Sequence, residues 1–220
     1  NALPVIDDQG KLVGRITMAM AIWILRENYE SRIMATAGLK ESDDLFVPVI
    51  KGAQGRGIWL GINLLTAFLA SWTIGLFEHV LSQVVALAVL MPIVASMGGI
   101  SGSQTLTLII RGLAMGQVTM GNAFLLCKQE LGISAINGVV WATVIGGISS
   151  YWFDNVVLGG VIAVAVLINI QVAALSGVFI PVILNRLNLD PALSGAVVLT
   201  TVTDVVGFVS FLGLGSLLLL

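Results

Sequence analysis

The chain has 220 residues, of which 57% are hydrophobic and 10% charged, and its formal net charge is -2. Soluble domains carry roughly 25% charged residues, so this composition, with a mean hydropathy of +1.03, excludes an ordinary water-soluble fold and indicates a membrane protein. The small net charge and the lack of a basic run exclude a nucleic-acid partner, and the lone Cys127 excludes an internal disulfide and reads as a packed side chain.

Most of the acids and bases fall within the first 56 residues, so a polar head precedes an apolar body. In the head, the stretch LPVIDDQGKLVGRI, residues 3–16, sets apolar runs around an Asp-Asp-Gln-Gly turn and predicts a hairpin. A helix is expected from about Ala19 to Ala37, with Gly38 as its stop. Two strands cannot build a core, so residues 1–18 are expected to be the end of a larger domain. Asn1 opens a polar segment without the features of a signal peptide, and none is expected. Residues 19–56 then form a connecting helix and linker, and residues 57–220 the membrane domain.

A helix needs about 20 apolar residues to cross a bilayer, and five such spans follow Gly57. They are expected at about 58–77, 84–110, 131–152, 156–184 and 193–220, the second interrupted by Pro92 and the pair Gly98-Gly99. Lys40, Lys51, Arg56, Arg111, Lys128 and Arg186 fall on one set of loops, while the alternate loops hold Glu78, His79 and Asp154. The positive-inside bias then predicts a cytoplasmic N-terminus and an outside C-terminus in a multi-pass protein of the cell membrane. Trp59, Trp72, Trp141, Tyr151 and Trp152 are read as interfacial aromatics near span ends.

Asp204 is the single charged residue between Pro191 and Leu220. It follows Leu193 by a rise of about 17 Å at 1.5 Å per residue, which is near the middle of a hydrocarbon core about 30 Å thick. An Asp there costs on the order of 3 kcal/mol and is too short to reach water, so it must face a partner, a wet cavity or an ion. Ala196 and Thr200 lie below it and Gly207 above, a small and partly hydroxylated face. Two readings stay open: an ion path, or a polar clamp between helices. Gly98, Gly99, Gln104 and Thr105 of the second span are candidate oxygen donors beside close-packing small residues. Asn63, Asn137 and Asn169 are expected to hydrogen-bond between helices. Carboxylate, hydroxyl, amide and carbonyl oxygens suit Mg²⁺, Ca²⁺, Mn²⁺ or alkali ions. One Asp per chain is few for a divalent ion, but a symmetric dimer would supply two, enough for a mostly hydrated Mg²⁺.

Several stretches carry a family resemblance: INLLTAFLASWTIGLFE in the first span, MPIVASMGG and GSQTLTLIIRGLA in the second, and LDPAL with TTVTDVVGFVSFLGLG in the fifth. The chain resembles the membrane domain of the MgtE family of magnesium channels. LPVIDDQGKLVGRIT resembles the last hairpin of a cystathionine-beta-synthase (CBS) domain, and Ala37 to Leu39 fall where the family has its connecting, or plug, helix. The resemblance implies a homodimer whose pore Asp matches Asp204 and binds hydrated Mg²⁺ from both subunits. It further implies that the cytoplasmic domains bind Mg²⁺ as a regulatory ion and that the plug helices then close the pore. Ile100 stands where the family's second-span motif has Asn, and SGAVVLTT lacks the proline that precedes the family's Thr-Thr pair. Met20 stands where CBS domains often place an Asp on a nucleotide ribose, so no nucleotide site is carried over.

The sequence therefore predicts an all-α, five-span, homodimeric divalent-cation channel, not an enzyme. Asp204, Thr200, Gly98, Gly99 and Gln104 are its candidate metal-site residues, and Mg²⁺ is its favoured ion. An Mg²⁺ exchanger coupled to Na⁺ or H⁺ is the alternative within transport, and a structural membrane subunit the alternative outside it. An intramembrane aspartyl protease would need a second acid in the same site, which the spans do not offer. Glu27, Glu30, Glu41, Asp43 and Asp44 are acids of the connecting segment that could meet regulatory Mg²⁺, or form a solvated face.

Overall fold

A computed structural model of the chain describes residues 2–36, 39, 46–119 and 121–220. Gly38, Lys40, Glu41, Asp43 and Asp44 lie outside the described residues. The contacts divide the chain at Gly57 into two units, residues 1–57 and 58–220.

In the first unit, β1 (Ala2–Ile6) pairs antiparallel with β2 (Leu12–Thr17), with Ala2 opposite Thr17 and Leu3 opposite Ile16. Asp7 closes the turn by accepting from the backbone N–H groups of Gln9 and Lys11, and Gly10 supplies the left-handed residue at φ 78°. The Thr17 hydroxyl accepts from Met20 N–H and starts α1 (Met18–Thr36). On α1, Arg26 and Glu30 form an exposed pair at 2.7 Å, one turn apart. The hydrogen bond to Glu30 raises the Arg26 guanidinium above its ordinary pKa. Glu30 is thus engaged by an arginine.

The five apolar helices are α2 (Val49–Gly75), α4 (Val85–Ala114), α5 (Ala123–Trp152), α6 (Val156–Arg186) and α7 (Pro191–Leu218), each long enough to cross a membrane. A short helix, α3 (Glu78–Gln83), joins α2 to α4. Local chemistry sets two of the starts. Asn155 caps α6 by accepting from Leu158 N–H, and Asp190 caps α7 by accepting from Ala192 N–H, with Pro191 at the first helical position.

The second span is a correction to the sequence reading. Residues 85–114 are one α-helix through Pro92, Gly98 and Gly99. A proline removes one donor, and neighbouring helices can hold the rest of the ladder. Here α6 and α7 pack along the same helix.

Helix α6 is the centre of the second unit and packs against α4, α5 and α7. It is the most buried and most apolar of the five. Hydrocarbon offers no hydrophobic gain for helix association, so close approach at small residues must supply it. On the α4–α7 seam, Leu87 sits on Gly215, Gly102 receives Leu199, and Gly195 receives Leu106. These pairs run in opposite directions along the two helices, so α4 and α7 are antiparallel. On the α5–α6 seam, Gly146 lies against Ala163 and the Gly159 carbonyl, and Ser134 donates to Gln171 at 3.1 Å.

Candidate functional site

The α4–α7 register fixes the depth of Asp204. Gly207 and Val94 lie at one level, where both touch Asn169 of α6. Asp204, three residues before Gly207, therefore lies level with Met97, three residues after Val94, and Thr200 lies level with Ser101. Asp204 is near the middle of α7 and half-buried. Among the described residues, no hydrogen bond or ion pair reaches its carboxylate.

The other expected residues fall at this depth or within two turns of it, but they face different ways. Gly98 is buried against the Asn169 amide, while Gly99 faces open space. Thr200 is exposed on the Asp204 side of α7 and donates its hydroxyl to the Ala196 and Val197 carbonyls at 3.0 and 3.1 Å, which leaves its oxygen able to accept. Gln104 opens instead into a notch of about 390 Å³ between α4 and α5. The notch is lined by Met97, Ile100, Ser101, Gln104, Asn137 and Trp141, with Ile170 of α6 as its floor. Because α4 is helical throughout, its carbonyls at Gly98 and Gly99 stay in the helical ladder rather than being released for an ion.

Three sequence expectations change. Trp141 lies mid-helix in the notch wall rather than at a span end. Of the three asparagines, Asn169 bridges helices as expected, donating to the Val94 carbonyl at 2.8 Å. Asn63 and Asn137 show no side-chain hydrogen bond among the described residues. Thr105, an expected oxygen donor, is buried and gives its hydroxyl to Glu130 Oε2 at 2.8 Å. Sequence reading placed Glu130 just outside the third span, but α5 begins at Ala123 and brings it inside the helix. A lone acid two turns inside the helix start was the available signal.

The fold defines a polytopic membrane protein, with five long apolar helices and a half-buried acid in the middle of the last. Comparison with known sequences names the family. The MgtE family, described as divalent cation transporter, matches residues 91–214, and the chain belongs to it. The Magnesium transporter MgtE of Bacillus subtilis (strain 168) is 32% identical over 219 residues, covering 98% of this chain and 48% of that protein. Its namesake from Thermus thermophilus is 31% identical over 99% of this chain, and that from Enterococcus faecalis 28% over 98%. The chain spans about half the length of these curated relatives.

Proposed function

We propose that this chain forms a homodimeric channel that conducts Mg²⁺, with Asp204 as the ion-binding residue of the pore. The observation that carries this reading is the Asp204 carboxylate itself: it sits mid-span and half-buried, without a donor among the described residues. A clamp would show the group it clamps. An ion with its hydration shell, held between the carboxylates of two copies, offsets the cost of that burial instead. Thr200 supplies a hydroxyl one turn away, and Gly98 and Gly99 let α4 approach at the same level. Gln104 faces the α4–α5 notch instead.

Residues 1–18 are the end of a CBS-like domain in this reading, and 19–56 the connecting helix and linker. The N-terminus is cytoplasmic. The acids Glu27, Glu30, Glu41, Asp43 and Asp44 are the proposed contacts of regulatory Mg²⁺, and Glu30 also pairs with Arg26.

The test is Mg²⁺ flux into liposomes carrying the wild-type chain or Asp204→Asn, which keeps the size and removes the charge. Flux should fall at least tenfold with folding intact. Unchanged flux would establish the clamp, and flux that requires an Na⁺ or H⁺ gradient would establish an exchanger.

A further inference from the structure

A second carboxylate of the membrane unit lacks a countercharge. Glu130, two turns into α5, is part-buried and accepts the hydroxyl of buried Thr105 on α4 at 2.8 Å. Among the described residues no ion pair reaches it. Lys128 is two positions away, which on a helix points it elsewhere, and both Lys128 and Arg111 are exposed. An acid inside a span calls for a partner, and one hydroxyl does not neutralise it.

The surroundings are rich in neutral oxygen. Glu130, Ser134 and Asn137 follow one another at helical spacing along α5, and Ser101, Gln104 and Thr105 do so along α4. The two helices run antiparallel, because α4 is parallel to α6 and α5 is antiparallel to it. The Thr105–Glu130 pair therefore stands at one end of a polar strip, and farther along it Ser101, Gln104 and Asn137 line the notch of about 390 Å³. From α6, Gln171 reaches the same strip and accepts from Ser134 at 3.1 Å. Ser101, Gln104 and Asn137 make no side-chain hydrogen bond among the described residues. A notch lined by a hydroxyl and two carboxamides without protein partners suits water rather than lipid tails.

The charge selects the ligand. One carboxylate among neutral oxygens is balanced by a cation of single charge, whereas a divalent ion would leave an uncompensated positive charge in a cleft of low dielectric. Mg²⁺ also gives up its waters reluctantly. Carboxylate, hydroxyl and amide oxygens are hard donors, which suit a hard ion.

We infer that Glu130 and Thr105 bind an alkali cation, Na⁺ or K⁺, between α4 and α5, with the rest of its shell made of water held by Ser101, Gln104 and Asn137. The ion joins two helices that share no extended seam of their own. The site lies within a single chain and rests on neither the dimer nor the Asp204 pore, so the liposome flux assay can fail while this inference stands.

The experiment is thermal unfolding of the full chain in detergent, without divalent ions, in NaCl, KCl or N-methyl-D-glucamine chloride at equal ionic strength. The midpoint should be higher in NaCl or KCl than in the bulky organic cation by at least about 3 °C, the shift given by a ligand at about tenfold its Kd. The larger rise identifies the ion. Glu130→Gln should abolish the difference, while Thr105→Ser and Asp204→Asn should keep it. Equal midpoints of the wild-type chain in the three salts would overturn the inference. So would a difference that survives Glu130→Gln, or one lost in Asp204→Asn, which would assign the ion to α7. Should Glu130→Gln fail to fold, binding of radiolabelled Na⁺ or Rb⁺ to Asp204→Asn decides the matter: label displaced by unlabelled alkali ion supports the site, and no bound label overturns it.

Discussion

Asn169 of α6 donates to the Val94 carbonyl of α4 across 2.8 Å, and its fully buried Oδ1 has no partner among the described residues. The amide occupies space that two glycines vacate. A Cβ on Gly207 would lie 2.7 Å from Asn169 Nδ2, and a Cβ on Gly98 would collide with the same amide. Three helices therefore meet through one side chain at the depth of Asp204.

Exchanging volumes at this junction should reveal the coupling. Gly207→Ala forces α7 and α6 apart and should cost about 1–3 kcal/mol as overpacking. Asn169→Ala alone removes the hydrogen bond and leaves a void. The double variant should be more stable than the sum of the two losses by at least about 1 kcal/mol, measured by thermal or denaturant unfolding in detergent. Additive losses would mean that the two side chains do not compete for the same space.

Thr105→Val keeps the shape that packs on Gly177 and removes the hydroxyl given to Glu130. It should destabilise the chain by about 1–3 kcal/mol, the cost of an unsatisfied, part-buried acceptor. Glu130→Gln, which can still accept, should cost less. Equal losses would show that Glu130 acts through something other than this bond.

The neighbouring glycines of α6 should respond oppositely. At Gly159 a Cβ would meet the Gly146 carbonyl at 2.5 Å and crowd Ser150, whereas at Gly160 nothing lies within 4 Å. Gly159→Ala should lower stability by about 1–3 kcal/mol, while Gly160→Ala should be neutral or stabilising by up to about 1 kcal/mol. The unfolding midpoints of the two variants give the comparison.

Protons and Mg²⁺ should compete at Asp204, since binding the metal requires a carboxylate free of its proton. Acidification should weaken apparent Mg²⁺ affinity, and raising Mg²⁺ should restore it. Flux measured between about pH 5 and 8 in a His79→Gln background, which removes the chain's single imidazole, isolates the carboxylate. A flat profile would argue against two carboxylates close to one axis.

The five spans were legible because a run of apolar residues is a property of each helix alone. Their full lengths were not. Helix α2 starts at Val49 rather than near Ile58, since Lys51, Gln54 and Arg56 extend the helix without being apolar, and hydropathy reports the lipid rather than the backbone. The same reason hid the start of α5 and with it Glu130. Asp204 stood out by its surroundings in sequence, but which side of α4 Gln104 faces depends on the packing of α4 against α6 and α7. No local pattern carries that information. Asn169 and Asn137 look alike in sequence, and they separate once one is wedged between two glycines and the other opens into a notch.

The central place of α6 sets an order on biogenesis. The chain leaves the ribosome in sequence, so α2, α4 and α5 reach the bilayer before the helix that α4 and α5 both pack against exists. Until Val156 and the residues after it have been inserted, α4 and α5 lack the helix both pack against, and Ser134 lacks its partner Gln171. Release from the insertion machinery should therefore wait for α6, the most apolar span and the one that partitions most readily. A nascent chain arrested before Val156 should remain associated with the translocon or be handed to quality control, whereas one arrested after Arg186 should already hold the α4, α5 and α6 seams and lack α7 and with it Asp204.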